Sequence, residues 1–129
     1  MTTFKHTALV CRSENNADRF YKELLGLEKA APKILPADLS QAIFGVDSEL
    51  TIINYTGDDM HFEIFIAANP QDNVPKIEHT CIEVASRGKL IENCGELNIT
   101  VKQVPKGNKT LLFVLDLDGN LFEVKSRSD

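Results

Sequence analysis

Asn120-Leu121-Phe122-Glu123-Val124-Lys125 restates, in the second half of the chain, the first-half stretch Met60-His61-Phe62-Glu63-Ile64-Phe65. In both, a glutamate sits between apolar residues that alternate in position, the period of a strand whose two faces differ. Upstream of each lies a second echo. His6-Thr7-Ala8-Leu9-Val10-Cys11 matches His79-Thr80-Cys81-Ile82-Glu83-Val84. Each half thus opens with His-Thr on a strand and closes with Phe-Glu-Ile/Val on another, the mark of a duplicated unit.

A helix is expected between the markers of each half. Residues 16–26 place Ala17, Phe20, Tyr21, Leu24 and Leu25 at helical spacing, with Ser13 or Asn15 as cap and Gly26 as stop. In the second half Ser86 caps, Leu90, Ile91 and Cys94 form the apolar stripe, and Gly95 ends the helix. Strands 49–55 and 60–67 form a hairpin around Thr56-Gly57-Asp58-Asp59, and strands 100–104 and 110–115 pair across residues 105–109. Asp116-Leu117-Asp118-Gly119-Asn120 then turns the chain into a last strand, 121–125. Residues 36–44 read as a short helix with Pro36 in its first turn, where the missing N–H costs nothing. The order is two βαβββ modules, residues 1–70 and 75–129, joined near 69–75 within a single domain spanning 1–129. The fold class is α+β.

Composition sets the outer limits. With 129 residues, 43% apolar and 26% charged, the chain is an ordinary globular mixture of one-domain size. A net charge of −5, with no Lys/Arg block, argues against a nucleic-acid partner. The three cysteines, Cys11, Cys81 and Cys94, are odd in number and at no zinc-knuckle spacing, so free thiols in a reducing compartment are expected. The start MTTFKHTALV has no signal-peptide core, and no apolar run approaches the ~18 residues of a membrane span. A cytoplasmic protein without membrane contact is the expectation.

Alternation then says which side chains meet. Phe62, Ile64 and Ile66 share one face of their strand and Phe122 and Val124 one face of theirs, natural beds for the helices. The opposite faces carry His6, Glu63, His79 and Glu123, with Ala8, Val10, Phe65 and Leu121 beside them. Carboxylates among apolar neighbours need a compensating charge. The only basic residues in phase, Arg12 and Lys125, stand at strand ends. Two imidazoles and two carboxylates therefore point to one divalent cation, with Zn, Ni, Fe, Co and Mn all compatible with an N/O donor set. Each residue alone reads as an ordinary polar strand position; the joint pattern at matching points of a repeat carries the inference.

The doubled unit, and above all Phe113-Val114-Leu115-Asp116-Leu117-Asp118-Gly119-Asn120-Leu121-Phe122-Glu123-Val124 with its Asp-x-Asp-Gly-Asn turn before a glutamate, resembles the vicinal oxygen chelate superfamily. That superfamily includes glyoxalase I, methylmalonyl-CoA epimerase, extradiol dioxygenases, and fosfomycin and bleomycin resistance proteins. The resemblance implies two βαβββ modules whose mixed sheets curl into a cup (the glyoxalase/bleomycin resistance/dioxygenase fold), in a homodimer. It implies His6, Glu63, His79 and Glu123 as ligands of the ion, drawn from one chain or from two exchanging modules. Dioxygenase and fosfomycin-type members usually lack a glutamate where Glu63 stands, so the likeness favours the glyoxalase-like branch. Two departures count against glutathione as substrate, and so against lactoylglutathione lyase activity: Val10 stands where bacterial glyoxalase I carries an arginine, and Ala67 where it carries an asparagine.

The function expected on these grounds is a metal-dependent lyase or isomerase moving a proton on a small oxygenated carbonyl compound. Glu123 is the expected general base and Glu63 the alternative. His61, on the Glu63 face, Glu83, on the His79 face, and Arg12 are candidate substrate contacts. The alternatives are a drug- or metabolite-binding protein of the bleomycin-resistance type, without turnover, and a metal-dependent dioxygenase or thiol transferase.

Overall fold

The two Phe-Glu segments become strands β5 (His61–Ile66) and β9 (Leu121–Ser126), each flanked on both sides in a sheet of its own. The structure, a computed structural model, describes residues 1–68 and 77–127, so the joint expected at 69–75 lies outside the described residues. The chain divides into two units, Met1–Pro70 and Gln71–Asp129.

In the first unit β1 (Thr7–Cys11) runs parallel to β5, with Ala8 opposite Glu63. β4 (Leu50–Thr56) runs antiparallel on its other side, with Asn54 opposite Glu63. Two short pieces, β2 (Glu28–Lys29) and β3 (Lys33–Leu35), pair with the outer side of β4. They are too short for alternation to announce them in the sequence. Helix α2 (Ala37–Phe44) follows; Pro36 is its extended N-cap rather than a residue of its first turn, and Gly45 closes it at φ 74°.

Helix α1 (Glu14–Ala17) starts earlier than the stripe predicts, because Ser13 rather than Asn15 caps it: the Asn16 amide donates to Ser13 Oγ at 3.1 Å. It continues as a π-helix (Asp18–Leu24), with the Leu25 amide reaching back to Phe20 O at 3.0 Å. Ala17, Phe20, Tyr21 and Leu24 are buried there. The Tyr21 ring lies 5.6 Å from Tyr55 and 5.4 Å from Phe62, on the sheet face that also carries buried Ile53 and Ile64.

A polar tie fastens this helix to the sheet. Fully buried Tyr55 donates to Asp18 Oδ1 at 2.7 Å, and Lys29 Nζ donates to Asp18 Oδ2 at 3.0 Å and to Glu14. Burial, and then the Asp18 hydrogen bond, push the Tyr55 phenol well above its ordinary range. The hydrogen bond to Glu14 holds Lys29 above its usual value. Both groups fold in the protonated form, so their stabilisation is complete below the unfolded pKa values, about 10 for Tyr and about 10.4 for Lys, and is lost as pH rises beyond them. Urea denaturation from pH 8 to 11 is expected to show stability falling past about pH 10. Tyr55→Phe should flatten that decline and cost about 1–2 kcal/mol at neutral pH.

The second unit repeats the topology. β6 (Thr80–Val84) runs parallel to β9, β8 (Lys109–Leu115) antiparallel to it, and β7 (Thr100–Lys106) forms the far edge. Helix α3 (Arg87–Leu97) begins where the Lys89 amide donates to Ser86 Oγ at 3.1 Å. It passes through Gly95, the expected stop, and ends at Asn98 in the left-handed region, φ 55°, a conformation asparagine tolerates better than most residues. Leu90 and Cys94 meet a core of Ile82, Ile99, Leu112, Val114, Phe122 and Val124. The β7–β8 turn is tighter than expected: Gly107, at φ 63°, and Asn108 alone make it. Pro105 sits inside β7, an edge strand where its missing N–H need not leave a partner unpaired.

The architecture is α+β, two open mixed sheets with few helices, as expected. The two histidines also differ from the expectation: His6 and His79 each stand one residue ahead of their strands rather than on them. No described helix is long and apolar enough to cross a membrane.

Candidate functional site

Each unit sets a histidine beside the glutamate of its own repeat. His6 Nε2 lies 3.7 Å from Glu63 Oε1, with side chains 40% and 25% exposed. His79 Nε2 lies 3.6 Å from Glu123 Oε1, with side chains 38% and 22% exposed. The duplication seen in the sequence is thus also a duplication of geometry. Both separations exceed the 2.7–3.2 Å of a sound N–H···O hydrogen bond. They are close to the spacing, about 2.9–3.5 Å, of two donors bound to one ion at about 2.0–2.2 Å.

The second pair shows what its donor atoms require. His79 Nδ1 lies 2.8 Å from Ile77 O, and a carbonyl oxygen can only accept, so Nδ1 carries the proton. In the neutral imidazole, Nε2 then presents its lone pair toward a carboxylate oxygen. In that tautomer two acceptors face each other, a contact that either a proton on Nε2 or a bound cation relieves. Fixing the distal nitrogen by a backbone carbonyl is also how metal-ligating histidines are oriented.

Glu123 owes its place to the turn before it. Buried Asp116 accepts from the Asp118 amide at 2.9 Å, the Asn120 amide at 2.8 Å and Asn120 Nδ2 at 2.7 Å, and Gly119 supplies φ 85°. Asp116-Leu117-Asp118-Gly119-Asn120 therefore fixes the register with which β9 enters the sheet. Glu63 is set by the β4–β5 hairpin, closed by the Gly57 amide on Met60 O at 2.8 Å.

The surroundings of the two pairs differ. Asn54 lies opposite Glu63, and Phe113 occupies the corresponding place opposite Glu123. His61, two residues before Glu63, corresponds to Leu121. His61 Nε2 lies 2.6 Å from Asn54 Oδ1, and its ring centre is 5.2 Å from that of His6. The His79 ring instead stands edge-on to Phe113 at 6.4 Å. One pair has a polar wall and the other an apolar one. Beyond Glu63, buried Phe65 packs edge-on against Phe44 of α2 at 5.3 Å, which brings that helix to the Glu63 side of the sheet.

Of the other expected contacts, His61 joins the first pair. Glu83 does not stand alone on its face, for its Oε1 accepts from Arg127 Nε at 2.8 Å. Arg12 is exposed just past the end of β1. Cys81 lies opposite Glu123 in the β6–β9 register and is exposed, whereas Cys11 and Cys94 are buried. Burial pushes the Cys94 thiol up to about 11. A thiol-reactive disulfide reagent is expected to modify Cys81 rapidly in the native protein, and Cys11 and Cys94 only on unfolding. Rapid loss of all three thiols under native conditions would contradict this packing.

Sequence patterning missed one feature of the second unit. A cavity of about 630 Å³ is lined by Arg87, Lys109, Lys125 and Glu123, among others. Arg87 is brought to it by the start of α3, on a segment with no alternation to announce it. Asn54 was also missed, since its role depends on register with β5. Among the described residues no group of three or more His, Cys, Asp or Glu side chains is placed to hold a metal ion; the structure brings the four expected ligands together as two pairs, one in each unit.

No family model and no curated protein matches the sequence. Solved structures do. A glyoxalase family protein from Enterococcus faecalis is 19% identical, with a TM-score of 0.71 and 95% of each chain covered. A fosfomycin resistance protein, FosX, from Listeria monocytogenes is 14% identical, with a TM-score of 0.73, covering 99% of this chain and 95% of its own. A glutamate-to-glutamine mutant of that FosX, complexed with Mn(II) and 1S,2S-dihydroxypropylphosphonic acid, is also 14% identical, with a TM-score of 0.72 and coverage of 98% and 90%. At these identities the likeness establishes the fold, which is the one the sequence resemblance implied.

Proposed function

We propose that the chain is a single glyoxalase-like domain of two modules, residues 1–70 and 75–129, and a divalent-metal-dependent lyase or isomerase. Its substrate is a small oxygenated carbonyl compound on which the enzyme moves a proton. The observation that carries the reading is the repeated His–Glu pair at 3.6–3.7 Å, one in each half. The Mn(II) complex of a FosX protein with the same fold supports a divalent ion beside a small oxygenated ligand.

His6, Glu63, His79 and Glu123 would hold the ion. Bound there, it supplies a Lewis acid toward substrate oxygen. The chain's own groups do the rest. Glu123 Oε1 takes the proton from the carbon next to the carbonyl and returns it, with Glu63 as the alternative base. His61, held by Asn54, offers a polar contact on the first half-site, while Phe113 and Leu121 limit water on the second. The four ligands come from both modules, either of one chain or of two chains in a homodimer. Mixing His6→Ala and His79→Ala chains separates these arrangements: exchanged modules regenerate an intact site in the mixed dimer, and modules of one chain do not.

The reaction class is tested by incubating metal-loaded protein in D₂O with α-hydroxy ketones, 2-oxoaldehydes and their thiol adducts, with C–H signals followed by NMR. Exchange of the proton beside the carbonyl, lost in Glu123→Gln, is the expected result. Tight binding of these compounds without exchange would instead establish the second reading, a small-molecule binder without turnover.

A further inference from the structure

We infer that the second unit carries an oxyanion-binding site where α3, β8 and β9 meet, which takes a carboxylate or a phosphate-like group. The observation is the composition of its cavity. In a chain of net charge −5, the wall gathers Arg87, Lys109 and Lys125 against a single carboxylate, Glu123. Asn108, Thr110 and Ser126 complete its polar lining. At about 630 Å³ the space lies within the ~300–1,000 Å³ of small-ligand sites.

The geometry suits an anion more than a cation or an apolar group. Arg87 is anchored to the wall by Nη1 donating to Thr110 O at 2.9 Å, which fixes a guanidinium that carries five N–H donors. Lys109 and Lys125 add two mobile ammonium groups from β8 and β9. The carboxylate best placed to neutralise Lys125, that of Glu83 across the β6–β9 register, is engaged by Arg127. The repulsion that Glu83 would offer to a nearby anion is therefore compensated. Charge-assisted hydrogen bonds from a planar guanidinium and two ammonium groups match an oxyanion's acceptors.

This site stands apart from the proposed reaction and does not rest on the metal reading. Anion binding itself needs no metal, so the test is run on the full chain with a chelator present. Methylphosphonate and acetate are titrated separately at low ionic strength and followed by amide NMR. Expected are saturable shifts confined to Arg87, residues 108–112 and residues 123–126, and affinity about tenfold or more weaker in Lys109→Gln/Lys125→Gln. Lys109→Arg/Lys125→Arg should retain binding, which separates loss of charge from loss of fold. Preference for methylphosphonate assigns the group as phosphate-like, and preference for acetate as a carboxylate. Shifts that fail to saturate or spread over every surface lysine, or a glutamine variant that binds as tightly as the parent, would overturn the subsite. Oxyanion binding in a protein that takes up no divalent ion would leave the subsite standing and refute the metal reading; ion uptake without oxyanion binding would do the reverse.

Discussion

Asp116→Ala is expected to destabilise the protein by about 3–5 kcal/mol, the largest stability effect of any single side chain in the site's support. The carboxylate is buried and accepts three hydrogen bonds, two from backbone amides and one from the Asn120 side chain. Alanine leaves those N–H groups without their acceptor, and for the two buried donors of Asn120 the cost is about 1–3 kcal/mol each. A domain of this size has only about 5–15 kcal/mol in reserve. Asp116→Asn keeps an acceptor but turns an N–H toward other donors, so it should fall between alanine and the parent. Urea denaturation checks the order; an alanine variant within about 1 kcal/mol of the parent would remove the turn from its positioning role. Because the same turn sets the entry of β9, the alanine variant should also bind metal more weakly than its residual fold alone would allow.

His79→Ala and Glu123→Gln are each expected to lower divalent-metal affinity by about two orders of magnitude or more, while leaving the fold intact. Loss of a group that merely orients a ligand costs about 10–100-fold, and loss of the ligand itself should cost at least that. The fold survives because these side chains are 38% and 22% exposed and belong to neither hydrophobic core. His6→Ala and Glu63→Gln should behave alike, since the first pair has the same spacing. Glu83→Gln is the control: its carboxylate is bound by Arg127, and metal affinity should not change. Metal analysis of protein purified without a metal-binding tag, with circular dichroism on each variant, makes the comparison. Affinity unchanged in either pair would remove that pair from the site.

Much of this was legible in the residues because the information was periodic and repeated. Alternation around Phe62-Glu63-Ile64 and Phe122-Glu123-Val124 separated the core faces from the faces that carry the two glutamates, and the register then set Asn54 and Phe113 opposite those glutamates. The His-Thr echo placed each histidine at the start of the strand parallel to its glutamate strand. What escaped had no period to show it. β2 and β3 are two and three residues long, and the π-helical stretch Asp18–Leu24 that continues α1 has no signature in the apolar spacing. Gly95 misled because a glycine near a helix end is more often the stop, and here Asn98 took the left-handed position. The cavity beside Glu123 joins residues from α3, β8 and β9, a meeting that only tertiary packing creates.

Titration of the tag-free full chain with Mn(II), read by electron paramagnetic resonance, bears most directly on whether both His–Glu pairs serve a single ion. Saturation at one Mn(II) per chain is the predicted result, with His6→Ala, His79→Ala and the double variant all losing that ion. Two Mn(II) per chain, one abolished by each alanine substitution independently of the other, would contradict it, as would a parent protein that binds none.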